Sequence, residues 1–501
     1  MNTAFVHSRA CAGLAAPLVN VEIHLSAGLP GFTIVGLPES TVREARERVR
    51  SALINSYFDW PDYRITVNLA PADQPKTGGR FDLPIAMGIL AASGQFPAEA
   101  LHGRELYGEL GLDGGLRACR GLLSAVAAAT AQGSLCAVPE IVAARLASVP
   151  DSQIVGAPDL LTLCAHLKNP NPPLVKCQEK PPTPEFSRDI RDVRGQQAAK
   201  RTLEIAASGG HHLLFLGPPG AGKTLLASRL PDLLPPSRND EQLTQTLIAD
   251  LMGLCGENQS IDGRRPFRAP HHSASAAALI GGGAQAQPGE ISLAHGGVLF
   301  LDELAEFPRH ILDNLRQPLE SGEVTIARAK GKNRYPARFQ LIAAMNPCPC
   351  GYAGSAETPC RCSPDVINRY QNKVSGPLTD RIDLHLVLER QNTNSLFSSG
   401  ESGESSATIR ARVISAHALQ QTRQGFLNAQ LEGDTLLATV DLTASTEQWF
   451  TGACDRLKLS ARGVHRCLRV SRTLADMEKQ PRVKQSHLLE AMSYRPLISE
   501  S

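Results

Sequence analysis

Long apolar runs are missing from this 501-residue chain. None approaches the roughly 20 residues a membrane-spanning helix needs, so no span is expected. The opening MNTAFVHSRA has no basic segment followed by an apolar stretch. A secretory signal is therefore not expected, which leaves the cytoplasm as the default location. Charge of one sign is lacking too: 51 Lys+Arg stand against 49 Asp+Glu, a net charge of +2. A nucleic-acid partner would have to rely on a local basic patch, because the field of the whole molecule gives it no support. Aromatics are few, at 5%, and are no independent sign of DNA binding. No self-similarity recurs at the roughly 20–50-residue spacing of solenoids and propellers.

What is present is an ordinary soluble composition, 42% hydrophobic and 20% charged. The length exceeds one core and implies about three domains. Two stretches divide the chain. Residues 169–184 carry six prolines and read as an extended, semi-rigid linker. Residues 391–406, QNTNSLFSSGESGESS, have little apolar content and read as a flexible one. Before the first, the runs 19–25, 32–35 and 65–69 look like strands. Thr41 and Glu44 have capping-box spacing for a helix through about Asn55. Between the linkers, strands and helices alternate in the α/β manner. After the second, 407–424 and 442–493 look helical.

The strongest motif follows the apolar run 212–216. Gly217, Pro218, Pro219, Gly220, Ala221, Gly222, Lys223 and Thr224 form GxxxxGK[ST] between a strand and a helix. Such a loop curls backbone N–H groups around phosphate oxygens at a helix N-terminus. Lys223 would reach the β- and γ-phosphates of ATP, and Thr224 would hold Mg²⁺. A second apolar run, 298–301, ends in Asp302 and Glu303. Asp302 suits contact with Mg²⁺ through water, and Glu303 suits polarising the attacking water. A third run, 339–345, ends at Asn346, a candidate to orient that water; the competing reading is a turn residue before Pro347. A catalytic cation is also needed. Arg381, in TDRID, is the candidate finger for a neighbouring subunit's site, which would require a ring. Arg369 is its rival, and a local ion pair is the alternative for either. In the tail, Ser460 is a plausible N-cap for a helix with Arg462 in its first turn. Arg462 could contact nucleotide from a lid. Arg466, Arg469 and Arg472 continue it as a basic stripe, read in preference as a solvated face.

Twelve cysteines are many for a disulfide framework in a reducing compartment. Eight are scattered, but Cys348, Cys350, Cys360 and Cys362 form CxC-x9-CxC. Four thiolates suit a closed tetrahedral zinc site that folds a short loop lacking its own core. Unmetallated thiols, a redox pair or an iron–sulfur cluster are the alternatives.

GPPGAGKT, RPFRAPHHSAS, GEISLAHGGVLFLDEL, LIAAMNPCPCG, GPLTDRIDLH and LSARGVHRCLRVSRTLADM together resemble the magnesium-chelatase-like AAA+ ATPases of the YifB/ComM group. So do the N-terminal GLPGFTIVGLPESTVREARERVRSAL and NLAPADQPKTGGRFDLPIAMGILAASGQ. The likeness covers nearly the whole chain. It implies a multidomain α/β and α+β fold: a Lon-protease-like domain over 1–168, a linker over 169–186, a P-loop AAA+ core with a parallel sheet over 187–390, a linker over 391–406, and a helical lid over 407–501. The zinc loop would span 346–363.

The resemblance also implies Arg381 as finger and Arg462 as second sensor, a helix-2 insert around 262–285, and a pre-sensor hairpin around 322–338. In the sequence, 324–328 and 335–339 flank a basic tip with Lys330, Lys332 and Arg334, suited to gripping DNA phosphates without reading bases. An ordinary solvated hairpin is the alternative. Phe267, Arg268, His271 and His272 could line a pore or simply pack. In the N-terminal domain Arg80 stands where Lon-type proteases carry serine, and their GGLKEK reads GGLRAC here, with Arg117 and Cys119. Without nucleophile and base, covalent catalysis cannot proceed, so a non-proteolytic scaffold is expected. The group implies a hexameric, ATP-driven DNA helicase promoting branch migration in natural transformation, with branched or single-stranded DNA and recombination proteins as partners. A chelatase-type ATPase that remodels a protein or metallocofactor partner is the alternative; the tail shows no DxSxS metal motif.

Overall fold

The computed structural model describes residues 2–494 apart from 40, 41, 43, 75, 170, 176–187, 256–262, 284–285, 329–330, 356–357, 375 and 391–402. Most of both expected linkers, the Thr41 cap and Lys330 thus lie outside the described residues.

In the N-terminal third, alternation of apolar and polar residues produces strands with one buried face. The elements in order are β1 (Thr3–Arg9), β2 (Leu18–Ser26), β3 (Gly31–Val35), α1 (Ala45–Asn55), β4 (Arg64–Ala70), α2 (Asp82–Ala92), β5 (Arg104–Leu106), α3 (Leu122–Thr130), β6 (Leu135–Pro139) and β7 (Gln153–Ala157). The seven strands form one sheet in the order β3-β4-β2-β1-β5-β6-β7. The β1-β2 and β2-β4 pairs are antiparallel and the remaining pairs parallel. Helix α2, DLPIAMGILAA, is buried along its whole length and packs on β1 and β2. A helix apolar on every side belongs in an interior. Arg80 is buried just before it. Its guanidinium donates to the Arg9 carbonyl at 3.3 Å and to the Arg120 carbonyl. Asp82 takes two bonds from Arg48, at 2.6 and 3.0 Å. The position expected for a serine nucleophile is thus a structural anchor.

The second body begins with α4 (Gln197–Gly209), β8 (Leu213–Leu216), α5 (Lys223–Ala227) and α6 (Asn239–Leu251). It continues through β9 (Phe267–Arg268), β10 (Val298–Leu301), the hairpin β11 (Glu323–Arg328) and β12 (Gly331–Pro336), β13 (Gln340–Met345), α7 (Pro364–Gln371) and β14 (Leu384–Val387). Five strands make an all-parallel sheet, β9-β10-β13-β8-β14. Its three central strands, β10, β13 and β8, are near-continuous apolar runs because both faces are covered. Leu213, Phe215, Val298, Phe300, Ile342 and Ala344 face one core; Leu214, Leu299, Leu301, Leu341, Ala343 and Met345 face the other. Strand β9 lies inside the stretch expected to be an insert, 262–285, so Phe267 and Arg268 of that stretch form a sheet edge. Its two residues are too few for a periodic signal.

Helices α8 (Ser406–Gln424), α9 (Gly433–Val440), α10 (Ala444–Arg456), α11 (Ala461–Met477) and α12 (Gln485–Ser493) complete the chain. The segment expected to be helical over 442–493 is broken into three helices. Ser460 caps α11, accepting from the Gly463 amide at 3.2 Å. The end of the expected flexible stretch 391–406 is ordered: Ser405 caps α8, and the Ser406 hydroxyl accepts from the Ile190 amide at 2.9 Å. The N-terminal body is joined to the second through Asp250 of α6, which accepts from the Leu123 amide at 3.0 Å and pairs with Arg145 at 3.1 Å.

Candidate active site

Three parallel strands end side by side. Leu216 of β8 pairs with Met345 of β13, and Leu301 of β10 with Ala343. Their next residues, Gly217, Asp302 and Asn346, therefore emerge together at the carboxyl ends of the strands, where open α/β sheets bind ligands. Gly222 adopts a left-handed φ of +85° and hands the chain into α5, whose first residues are Lys223 and Thr224. The glycine-rich loop curls back on itself. The Lys223 ammonium donates to the carbonyls of Gly217 at 2.6 Å and Pro218 at 3.0 Å, and to Asn346 Oδ1 at 2.9 Å. Burial lowers its pKa, opposed by the charges of Asp302 and Glu303. Thr224 Oγ1 donates to Asp302 Oδ2 at 2.7 Å. Gln196 braces the loop, donating to the Ala221 carbonyl at 3.2 Å.

Those contacts unite residues from three separate motifs. Lys223, Thr224, Asp302 and Asn346 meet as spacing and strand order suggest, and Asn346 faces the lysine through its side chain. Glu303 follows Asp302 in a left-handed conformation, φ +52°, which a non-glycine residue adopts only at a cost of about 1–3 kcal/mol. Its Oε2 lies 3.2 Å from His272 Nδ1. The His272 ring stands 4.1 Å from that of His271 and edge-on to Phe307. The histidine pair follows β9, so the contact with Glu303 comes from the loop after that two-residue strand. Arg268, singled out with them, is instead paired with Glu290 at 2.6 Å.

The candidate arginines divide. Arg381 is held within its own chain by Glu320 and the Pro377 carbonyl. Arg369 lines an open recess of about 790 Å³ between 305–309 and α7. Arg462 pairs with Asp380 at 3.0 Å, next to Arg381. The rest of the basic stripe is not a solvated face. Arg466 and Arg472 are buried. Arg466 donates to the Thr379 carbonyl at 3.0 Å, and Arg469 stands 3.7 Å from Asp383. Asp383 also holds His211 Nδ1 at 2.8 Å, and the other nitrogen of that ring meets Thr473 at 2.7 Å. Arg472 forms an interior pair with Asp476 at 2.8 Å. Helix α11 is therefore clamped onto 379–383. Arginine spacing alone cannot distinguish water from a buried partner.

The basic hairpin differs from expectation in register. Its second strand starts at Gly331, so Lys332 and Arg334 lie on β12 opposite Ala327 and Thr325, not at the tip. Both are exposed on one face, while Tyr335 is buried and donates to the Ala286 carbonyl at 2.9 Å.

Beyond Asn346 the four cysteines converge. Their sulfurs lie within 4.8 Å of one another, at 3.3 Å (Cys348–Cys350), 3.5 Å (Cys350–Cys360) and 3.7 Å (Cys348–Cys360). Zinc–sulfur bonds of about 2.3 Å in a tetrahedron set an S···S edge of about 3.8 Å, close to this spacing. Backbone amides of Ala353 and Cys362 donate to the sulfurs of Cys348 and Cys360, at 3.3 and 3.4 Å.

Three family models match the chain: "Magnesium chelatase, subunit ChlI" over residues 189–396, "Subunit ChlI of Mg-chelatase" over 21–140, and "Magnesium chelatase, subunit ChlI C-terminal" over 403–495. The chain is 48% identical over 498 residues to the uncharacterized protein YifB of Salmonella typhimurium, covering 99% of this chain and 98% of that one. It is 48% identical over 506 residues to competence protein ComM of Haemophilus influenzae, with the same coverage. Lon protease 2 of Bacillus subtilis is 25% identical over 183 residues, 32% of this chain and 33% of that protein.

Proposed function

The chain belongs to the magnesium-chelatase-like proteins of the YifB/ComM type, and we propose that it is a ring-forming AAA+ ATPase that drives branch migration of DNA. The observation that carries this is the convergence of Lys223, Thr224, Asp302 and Asn346 at three strand ends. Lys223 would bind the β- and γ-phosphates of ATP. Thr224 and Asp302, already 2.7 Å apart, would hold Mg²⁺, which when bound neutralises phosphate charge. Glu303 would take the proton of the attacking water, which Asn346 orients. Arg381 would serve the neighbouring subunit's site in a hexamer, and Arg462 would report from the lid. Both flank Asp380, so one ion pair ties finger to lid helix.

The exposed Lys332 and Arg334 support a DNA-gripping hairpin, as does the competence name of the Haemophilus relative. Incoming DNA during natural transformation would be the substrate, recombination proteins the partners and the cytoplasm the site of action. Residues 1–168 would be a Lon-like scaffold without peptidase chemistry, since Arg80 is engaged by backbone carbonyls. Cys348, Cys350, Cys360 and Cys362 would hold a structural zinc ion, all four positions being filled by thiolates.

The matches to magnesium-chelatase models over most of the chain favour a second reading, remodelling of a protein or metallocofactor partner. ATP hydrolysis measured with single-stranded, duplex and four-way-junction DNA separates the two. Stimulation by DNA is expected of the motor; a rate indifferent to all three forms overturns it in favour of remodelling.

A further inference from the structure

Resting on the reading of the glycine-rich loop as the ATP site, we propose that the four-cysteine loop is a zinc-loaded brace that sets the shape of the phosphate loop. Nucleotide affinity then depends on the metal.

The chain makes the connection twice. Asn346, which holds the Lys223 ammonium at 2.9 Å, is separated from the first thiol, Cys348, by Pro347 alone. Gln371 of α7 donates to the Pro347 carbonyl at 2.9 Å and fixes that step. The second connection runs through space. Gly351, whose backbone N–H donates a hydrogen bond to the Cys348 carbonyl at 2.9 Å, lies against Pro219 of the phosphate loop. A Cβ at Gly351 would stand 2.5 Å from Pro219 Cδ and 2.9 Å from Cγ. No real Cβ approaches so closely, so either the proline or the cysteine loop would have to move. Pro219 lies within the turn in which the Ala221 amide donates to the Pro218 carbonyl, and Pro218 is itself an acceptor of Lys223.

Little besides the thiolates can hold this brace. Apart from Pro347 and Cys348, no described residue of 347–363 buries an apolar side chain. Such a loop acquires its conformation from the metal. Without the ion, the sulfurs lose their common centre, Gly351 is released from Pro219, and Asn346 is freed beside Lys223.

Two glycines of the loop separate the brace from mere loop integrity. Gly351 has φ +86° and the close proline; Gly354 has φ +78° and nothing within 4 Å of an added Cβ. Both strain the backbone equally when changed to alanine, and only one strikes the phosphate loop. The experiment measures zinc per chain by elemental analysis and the affinity of the full-length protein for a fluorescent ATP analogue. One zinc per chain is expected. Chelation should weaken binding on the order of tenfold, with recovery on adding zinc. Gly351→Ala should keep zinc and lose affinity on the order of tenfold, while Gly354→Ala keeps both.

Equal affinities for Gly351→Ala and Gly354→Ala overturn the brace, as does unchanged binding after full zinc removal. Protein that never contains zinc yet binds nucleotide overturns the metal dependence. If wild-type protein, zinc-loaded, binds no nucleotide at all, the ATP reading itself falls.

Discussion

At the scale of single residues, chemistry depends on a few atoms whose neighbours are now specified. In the proposed ATP site the phosphate grip would belong to Lys223 and the loop amides, with no part in it for Glu303. Glu303→Gln should therefore retain ATP binding while lowering kcat roughly 10²–10⁴-fold, the range for loss of a general base. Measured binding and turnover on the same preparation check this; loss of both together would point to misfolding. Interior charge makes a different prediction. Asp476 is buried and serves Arg472 at 2.8 Å, Arg423 at 2.7 Å and Asn428 at 2.8 Å. Asp476→Ala leaves the buried Arg472 guanidinium without a counterion, with only the Gln480, Pro481 and Thr439 carbonyls as acceptors, and should cost about 3–5 kcal/mol in urea unfolding. A loss below about 1 kcal/mol would mean that water replaces the carboxylate.

At the scale of elements, β14 and β12 can be tested separately. His385 of β14 is buried beside Arg466, and burial pushes its pKa down to about 4 from 6.5. A depressed histidine stays neutral when folded and takes up a proton when unfolded, so the unfolded state binds more protons between pH 6.5 and 4. Stability should thus fall as pH drops through that window, by up to about 1.4 kcal/mol per pH unit for this one group. Thermal melts across the window should be flatter in a His385→Asn variant. On β12, Lys332 and Arg334 face solvent together. Replacing either with alanine should weaken DNA binding and reduce the slope of log affinity against log salt by about one. An unchanged slope would place the phosphate contacts elsewhere. Much of this framework was legible in the chain: β8, β10 and β13 are apolar runs ending in Gly217, Asp302 and Asn346, and apolar continuity specifies a strand buried on both faces. What escaped were features set by distant partners. Strand β9 has two residues and no period; the hairpin register depends on pairing with Glu323–Arg328; and Arg466 and Arg469 of α11 find their carbonyl and carboxylate partners on the distant segment 379–383.

At the scale of the whole molecule, the N-terminal body, the parallel sheet and the C-terminal helices are mechanically linked. Asp250 ties the first to the second, and α11 ties the third to the segment carrying Arg381. In a ring, such links would pass a change at one nucleotide to the neighbouring finger. The proposed motor converts ATP hydrolysis into movement along branched DNA. The most direct test is disassembly of a four-way DNA junction by the purified protein with ATP, beside Glu303→Gln. Wild-type protein should separate the junction into duplex arms while the variant binds ATP and leaves it intact. A junction left whole by an actively hydrolysing wild-type protein would contradict the account.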